Sequence, residues 1–298
     1  MTLEVAHFFD ESSSTLTYVA TDTSVGSCAI IDPVLDLDYA SGTLSTESAD
    51  AIIGFIESRE LHLECILETH IHADHLSSAP YIKAKLGGDI AIGAHITAVQ
   101  KTFGTIFNEG NSFKRDGSQF DWILSDGDAF SVGALKCEAF HVPGHTPACM
   151  AYRIDDALFV GDTLFMPDAG TARCDFPGGD AKALYESCQR LLALPEETRV
   201  FVCHDYQPGG RALQFVATIA DHRRHNIHVG GDIPLEQFVG MREIRDATLD
   251  MPTLILPSLQ VNMRAGHLPP LDEQGRLFLK VPVNAFGGAD LASLASIE

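Results

Sequence analysis

Apolar residues follow two spacings along the chain, and the switches between them mark out the elements. Near the start they alternate with polar ones, and "TLTYVATD" and "SCAIIDP" read as strands joined by a turn from Thr23 to Gly26. In "ESADAIIGFIESREL" the spacing becomes helical, with Ala51, Ile52, Phe55 and Ile56 on one face. "LECILETH" is a short buried strand, "SSAPYIKAKLGG" a helix stopped by Gly87 and Gly88, and "DIAIGAH" another strand. Residues 101–121 are polar and Gly-rich and read as a connection. Strands resume in "FDWILSDGDAFSVGALKCEAFHVPGHT", with tight turns at Asp126-Gly127 and Gly133. "ACMAYRIDDALFVGDT" is a hairpin turning at Asp155-Asp156. "DAKALYESCQRLLAL" is an amphipathic helix, with Leu184, Cys188, Leu191 and Leu192 on its buried face. "TRVFVCH" is a buried strand, and "GRALQFVATIADHRRHN" reads as a helix.

Strand runs mixed with helices, without strict β-α-β alternation, predict an α/β or α+β sandwich. The main domain spans 1–240. Past it, "MPTLILPSLQVNMRAGHLPPLDEQGRLFLKVPVNAFGG" contains five prolines and little helical spacing. We read 241–298 as a Pro-rich C-terminal extension, strand-like and packed on the main domain, and as a candidate contact for a homodimer.

Composition narrows the function. Twenty basic residues against 41 acidic give a formal charge of −21, a field that repels nucleic acid and anionic membranes. No apolar run is long enough to span a bilayer, and the first residues lack the basic and apolar regions of a signal peptide. Seven scattered cysteines without a C-x-x-C pair read as reduced thiols, so a cytoplasmic location is expected.

The candidate chemistry sits where apolar strands end. "ETHIHADHLSS" places His70, His72, Asp74 and His75 within six residues. Imidazole and carboxylate are ligands for transition metals. In an extended segment, residues two apart point the same way, so His70 and His72 can face one point while Asp74 and His75, past a bend, face another. Three later strands each end in a ligand-type residue: "HVPGHTPAC" in His145, "LFVGDTLF" in Asp162 and "VFVCHDYQPGG" in His204. A carboxylate at the end of an apolar strand is costly to bury unless it is paired or bound to a metal. Cys174 and Cys203 read as small buried hydrophobes. His222, His225 and His228 in "DHRRHNIH" read as a solvated helix end rather than an accessory metal site.

Together "THIHADH", "PGHT", "VGDT" and "CHDY" resemble the successive signature motifs of the metallo-β-lactamase superfamily over about residues 3–230. The resemblance implies a four-layer αββα sandwich with a metal site at one edge of its two sheets. It implies His70, His72 and His145 as ligands of a first site, Asp74, His75 and His204 of a second, and Asp162 as a bridge.

The superfamily includes dinuclear zinc hydrolases such as glyoxalase II and mononuclear iron persulfide dioxygenases. The tail does not look like the helical glutathione-holding domain of glyoxalase II. The stretch from Gly161 to Arg211, with its "RCDF" and "CHDY" elements, closely resembles the bacterial persulfide dioxygenases. That likeness implies one Fe(II) per chain on His70, His145 and Asp162, with zinc as the alternative metal. His72, Asp74, His75 and His204 would surround it. The implied reaction takes glutathione persulfide, O2 and water to sulfite and glutathione. Iron supplies redox chemistry that zinc, a d10 ion, lacks. Tyr206 is then a candidate hydrogen-bond partner for reactants at the metal. Arg173 and Arg211 are candidate contacts for an anionic substrate, although Arg173 can equally pair with Asp175. A metal-binding scaffold without catalysis is the third reading, and a complete set of seven ligands argues against it.

Overall fold

The computed structural model describes residues 2–287. Its first half runs β1 (Leu3–Asp10), β2 (Thr15–Asp22), β3 (Ser27–Ile31), β4 (Val34–Asp38), β5 (Thr43–Ser45), α1 (Glu47–Ser58), β6 (His62–Leu67), β7 (Leu76–Ser77), α2 (Ala79–Leu86), β8 (Asp89–Gly93), α3 (Ile96–Ile106) and β9 (Trp122–Leu124). Its second half runs β10 (Ala129–Val132), β11 (Leu135–His141), β12 (Met150–Ile154), β13 (Ala157–Phe159), α4 (Ala181–Leu192), β14 (Arg199–Phe201), β15 (Val216–Thr218), α5 (Ile219–His225), α6 (Leu235–Asp246) and α7 (Ile255–Asn262).

Two six-stranded sheets result, ordered β1-β2-β3-β6-β8-β9 and β10-β11-β12-β13-β14-β15, with a small β5-β4-β7 sheet beside them. Side-chain alternation divides the core. Tyr18, Ala20, Ala29, Ile31, Cys65 and Leu67 of the first sheet join the second sheet and α4 in one apolar cluster. Their neighbours Val19, Cys28, Ile30 and Ile66 point the other way, into a cluster with α1, α2 and α3. Each central strand is therefore buried on both faces, as a helix-sheet-sheet-helix sandwich requires. This is the metallo-β-lactamase fold expected from the sequence.

Three segments differ from expectation. Helix α3 occupies the start of a stretch read as a connection; its β-branched residues and Gly104 are weak helix formers, and the buried face Ile96, Val99 and Phe103 decides the outcome. The segment read as one helix from Gly210 is instead irregular up to β15, and α5 starts only at Ile219. There Thr218 and Asp221 form a capping box, each side chain meeting the other's backbone N–H. The strand-like extension contains α7, whose Pro257 lies in the first turn, where a helix needs no N–H. Helix α6 crosses the expected boundary at 240.

Candidate metal centre

The site is assembled from strand ends. Strand β6 stops at Leu67, and the following loop carries His70, His72, Asp74 and His75. Segments following β11, β13 and β14 deliver His145, Asp162 and His204. Two devices bring these loops together. Asp32, just past β3, accepts the backbone N–H of Thr69 at 2.7 Å and its hydroxyl at 2.8 Å. Gly161, at φ +48°, lets the Asp162 segment approach closely: a Cβ there would lie 2.5 Å from Thr69 Oγ1.

All seven predicted ligands converge. Ligand atoms of His70, His145 and Asp162 lie within 4.8 Å of one another, as do those of His72, Asp74 and His75. Asp162 also groups with His204 and Cys203. His145 Nε2 is 3.6 Å from Asp162 Oδ2, and His204 Nε2 is 3.2 Å from Asp162 Oδ1 and 3.5 Å from Asp74 Oδ2. The geometry thus offers a 2-His-1-carboxylate set and a second set beside it, with Asp162 shared between the first set and His204, which in turn faces Asp74. His72 groups with Asp74 and His75, and its ring also lies 4.1 Å from that of His70, centroid to centroid.

Hydrogen bonds fix which nitrogen each ring presents. His145 donates Nδ1–H to the Arg173 carbonyl at 2.7 Å, and His70 Nδ1 lies 3.0 Å from Thr69 Oγ1. Nε2 of each is left for a cation, the orientation usual for metal-bound imidazole. On the opposite side, His72 Nε2 is 2.9 Å from Asp32 Oδ1 and 3.7 Å from Glu68 Oε2.

The residues fit a metal. His72 Nδ1 and His75 Nε2 are buried with no hydrogen-bond partner, and His204 Nε2 is buried against two carboxylates, Asp162 Oδ1 at 3.2 Å and Asp74 Oδ2 at 3.5 Å. Buried polar atoms left without a hydrogen bond, and carboxylates crowded beside them, are expensive unless a cation meets them. Their nitrogen and oxygen donors suit zinc or non-haem iron alike. The electrostatics agree. Burial opposes ionisation of Asp162 and Asp74, yet the neighbouring histidines hold both well below the usual carboxylate range. Burial also works against a charged His204, but Asp162 and Asp74 raise it to about 10, a sign of how strongly the site favours positive charge.

The centre opens into a cleft of about 960 Å³. Asp74, His145 and Asp162 of the centre line it, with Phe176 against His145 and Phe165 and Tyr206 against His204, and so do Thr171, His228, Arg242 and Arg245. Tyr206 is 57% exposed and stacks on His204 with centroids 5.7 Å apart. Arg173 lines the cleft, but its guanidinium holds Asp175 at 2.6 and 2.7 Å and lies over Phe176. Arg211 is not among the lining residues; it closes on Asp168 and Asp205 instead. Its expected place at a helix start is corrected: Pro208–Gly210 before it is a single 3-10 turn, and the chain after it is irregular. Cys174 and Cys203 are buried as expected. The histidine run is corrected too. Only His225 is exposed: His222 lies on the buried face of α5, and His228 is buried in the chain beyond the helix end at His225.

Residues the sequence reading passed over complete the site: Asp32, Thr69, Glu68 and Asn262. Asn262, at the end of α7, donates to the carbonyls of His72 and His75 at 2.9 and 2.8 Å and accepts the Ser77 N–H at 2.8 Å. Only Asp32 carried a usable signal, since "AIIDP" is again an apolar strand ending in a carboxylate.

Known proteins align with this picture. A probable metallo-hydrolase of Burkholderia pseudomallei is 53% identical over 95% of this chain and 100% of its own length. Glyoxylase B2 of Dictyostelium discoideum is 47% identical over 93% of this chain and 96% of its own. The mitochondrial persulfide dioxygenase ETHE1 of Bos taurus is 28% identical over 88% of both chains. The crystal structure of ETHE1 from Myxococcus xanthus superposes with a TM-score of 0.71, at 29% identity, over 89% of this chain and 100% of its own. The family model of the metallo-beta-lactamase superfamily matches residues 12–204, a span that includes every ligand just described. With its sandwich, its strand-end ligands and that match, the chain belongs to the metallo-β-lactamase superfamily.

Proposed function

We propose that the protein is a persulfide dioxygenase, converting glutathione persulfide, O2 and water to glutathione, sulfite and two protons. The sulfane sulfur gives up four electrons and O2 accepts them. The observation that carries this reading is the compact set of His70, His145 and Asp162: two imidazoles and one carboxylate whose ligand atoms lie within 4.8 Å of one another, with the Nδ1 atom of each imidazole turned to a hydrogen-bond partner. On Fe(II), such a set leaves coordination positions open, and the metal supplies the one-electron chemistry that O2 requires. The resemblance to proteins named ETHE1 supports it.

The chain's own residues bind and orient. Phe165 and Phe176 flank the centre with apolar surface that excludes water from the reacting sulfur. Tyr206, stacked on His204, adds a hydroxyl donor to the cleft lining. Among the described residues, Arg245 is the cleft arginine without an ion pair, whereas Arg173 and Arg242 are each neutralised by an aspartate. Arg245 therefore supplies the charge that draws an anionic thiol into an acidic protein.

A second reading is a dinuclear zinc thioester hydrolase of the glyoxalase II type. Asp162, shared between the His70 and His145 set and His204, favours it, as does the likeness to glyoxylase B2. One experiment separates the two. The protein is loaded anaerobically with iron or with zinc, then given glutathione persulfide with O2, or S-lactoylglutathione. About one iron per chain, with one O2 consumed per sulfite formed, is the expected result. Two zincs per chain with thioester hydrolysis and no O2 uptake would replace it with the second reading.

A further inference from the structure

The cleft is also lined by a histidine that belongs to none of the ligand groups. His228 follows α5 in the loop toward α6, and its ring is held from several sides. The Thr171 backbone N–H donates to Nδ1 at 2.9 Å, and Thr171 Oγ1 lies 3.1 Å from the same atom. A backbone N–H can only donate, so Nδ1 is the acceptor and the neutral ring carries its proton on Nε2. Gly170, at φ +88°, packs flat against the ring: a Cβ there would fall 2.2 Å from Nδ1 and 2.4 Å from Cγ. Asn226 Oδ1 accepts the His228 N–H at 2.9 Å and fixes the backbone beneath it. The tautomer, the ring plane and the backbone are thus all set by packing and hydrogen bonds.

The opposite edge of the ring is different. His228 is 8% exposed and lines the cleft, and Nε2 has no partner among the described residues. Two cations stand near it: Arg242, which donates to the Thr171 carbonyl at 3.1 Å, and Arg245. Burial, reinforced by both arginines, brings the imidazole down to about 4, so the ring offers a neutral donor across the physiological range.

We propose that His228 is a substrate-recognition residue, whose Nε2–H donates to an acceptor oxygen, carboxylate or amide carbonyl, on the organic part of the thiol remote from the reacting sulfur. It rests on the reading that the cleft takes a glutathione-type substrate, and it holds equally for a persulfide or a thioester. A site built to hydrogen-bond a substrate oxygen discriminates against molecules that lack one, because the buried donor is then left unpaired.

The test measures binding by calorimetry, with S-methylglutathione as the probe, to wild-type protein, H228N and H228Q. Asn retains an acceptor for Thr171 but does not reach the Nε2 position, whereas Gln places an amide N–H there. The expected result is about tenfold weaker binding in H228N, recovered at least in part in H228Q, with metal content and thermal midpoint near wild type. In turnover, KM for the glutathione substrate should rise with kcat little changed, and the persulfide of ethanethiol should be processed equally by all three. Binding to H228N as tight as to wild type would overturn the proposal, as would failure of wild type to bind S-methylglutathione. If H228N does not fold, H228Q alone decides, and a tenfold loss there would also overturn it. Thioester hydrolysis in place of O2 uptake would sink the dioxygenase reading but leave this proposal standing.

Discussion

Thr69 donates both its backbone N–H and its hydroxyl to Asp32, at 2.7 and 2.8 Å, while its hydroxyl oxygen lies 3.0 Å from His70 Nδ1. A carboxylate thus orients a metal ligand through an intervening hydroxyl. T69V keeps the shape and removes that link. Metal affinity should fall by about 10–100-fold, the usual cost of losing a partner that orients a ligand. Competition with a chelator of known affinity checks it, and unchanged affinity would mean that the loop backbone alone sets the ring.

The two ligand sets can be separated by substitution. D162N should lose metal almost entirely, more than about a hundredfold in affinity, because Asp162 is the carboxylate of the first set and also faces His204. D74N touches only the second set. Under the single-iron reading it retains about one metal per chain by elemental analysis. A fall from two metals to one would instead reveal a dinuclear centre.

Asn262 joins the extension to the metal loop through three buried hydrogen bonds. N262A leaves two carbonyls and one N–H without partners. The expected loss is about 3 kcal/mol or more, which lowers Tm by roughly 5–10 °C in a protein of this size. Calorimetry of the metal-free and metal-loaded forms measures it. A Tm within a degree of wild type would show that water replaces the amide.

Acid should destabilise the fold through histidines away from the metal. Burial lowers His222 to about 4, and burial together with Arg242 and Arg245 lowers His228 to about 4. In the unfolded chain each titrates near 6.5. Between about 4 and 6.5 the unfolded state therefore binds more protons, so stability falls as pH drops through that window and does not change with these groups above it. Urea midpoints at pH 7 and pH 5 test this. H222Q should lose about 1–2 kcal/mol less than wild type over that interval; an equal loss would mean that His222 is already protonated in the fold.

The ligands were legible because each lies within a few residues of a hydrophobic strand end, and a strand's period and a carboxylate's cost of burial are local properties. The partners that orient them were not. Asp32 and Thr69 are 37 residues apart, and Asn262 and His72 are 190 apart, so no spacing links them. The arginines show the converse limit. "RCDF" displays a cation, but only the fold reveals that Arg173 already holds Asp175, and that Arg245, unremarkable in "MREIRDA", lines the cleft without an ion pair among the described residues. The histidine run was misread for a related reason: helical spacing was extended past His225, where the chain in fact leaves the helix and buries His228.

The bonds from Asn262 also set an order of events during synthesis. The loop that carries the first ligands is made early, yet the side chain that pins its carbonyls belongs to a residue 187–190 positions later. At about 5–20 residues per second, a ribosome needs roughly 10–40 s to reach it. Throughout that interval the nascent chain carries metal-binding histidines on a loop that lacks its last support. The finished centre is therefore a late product of translation, reached only after nearly all of the sandwich has been made.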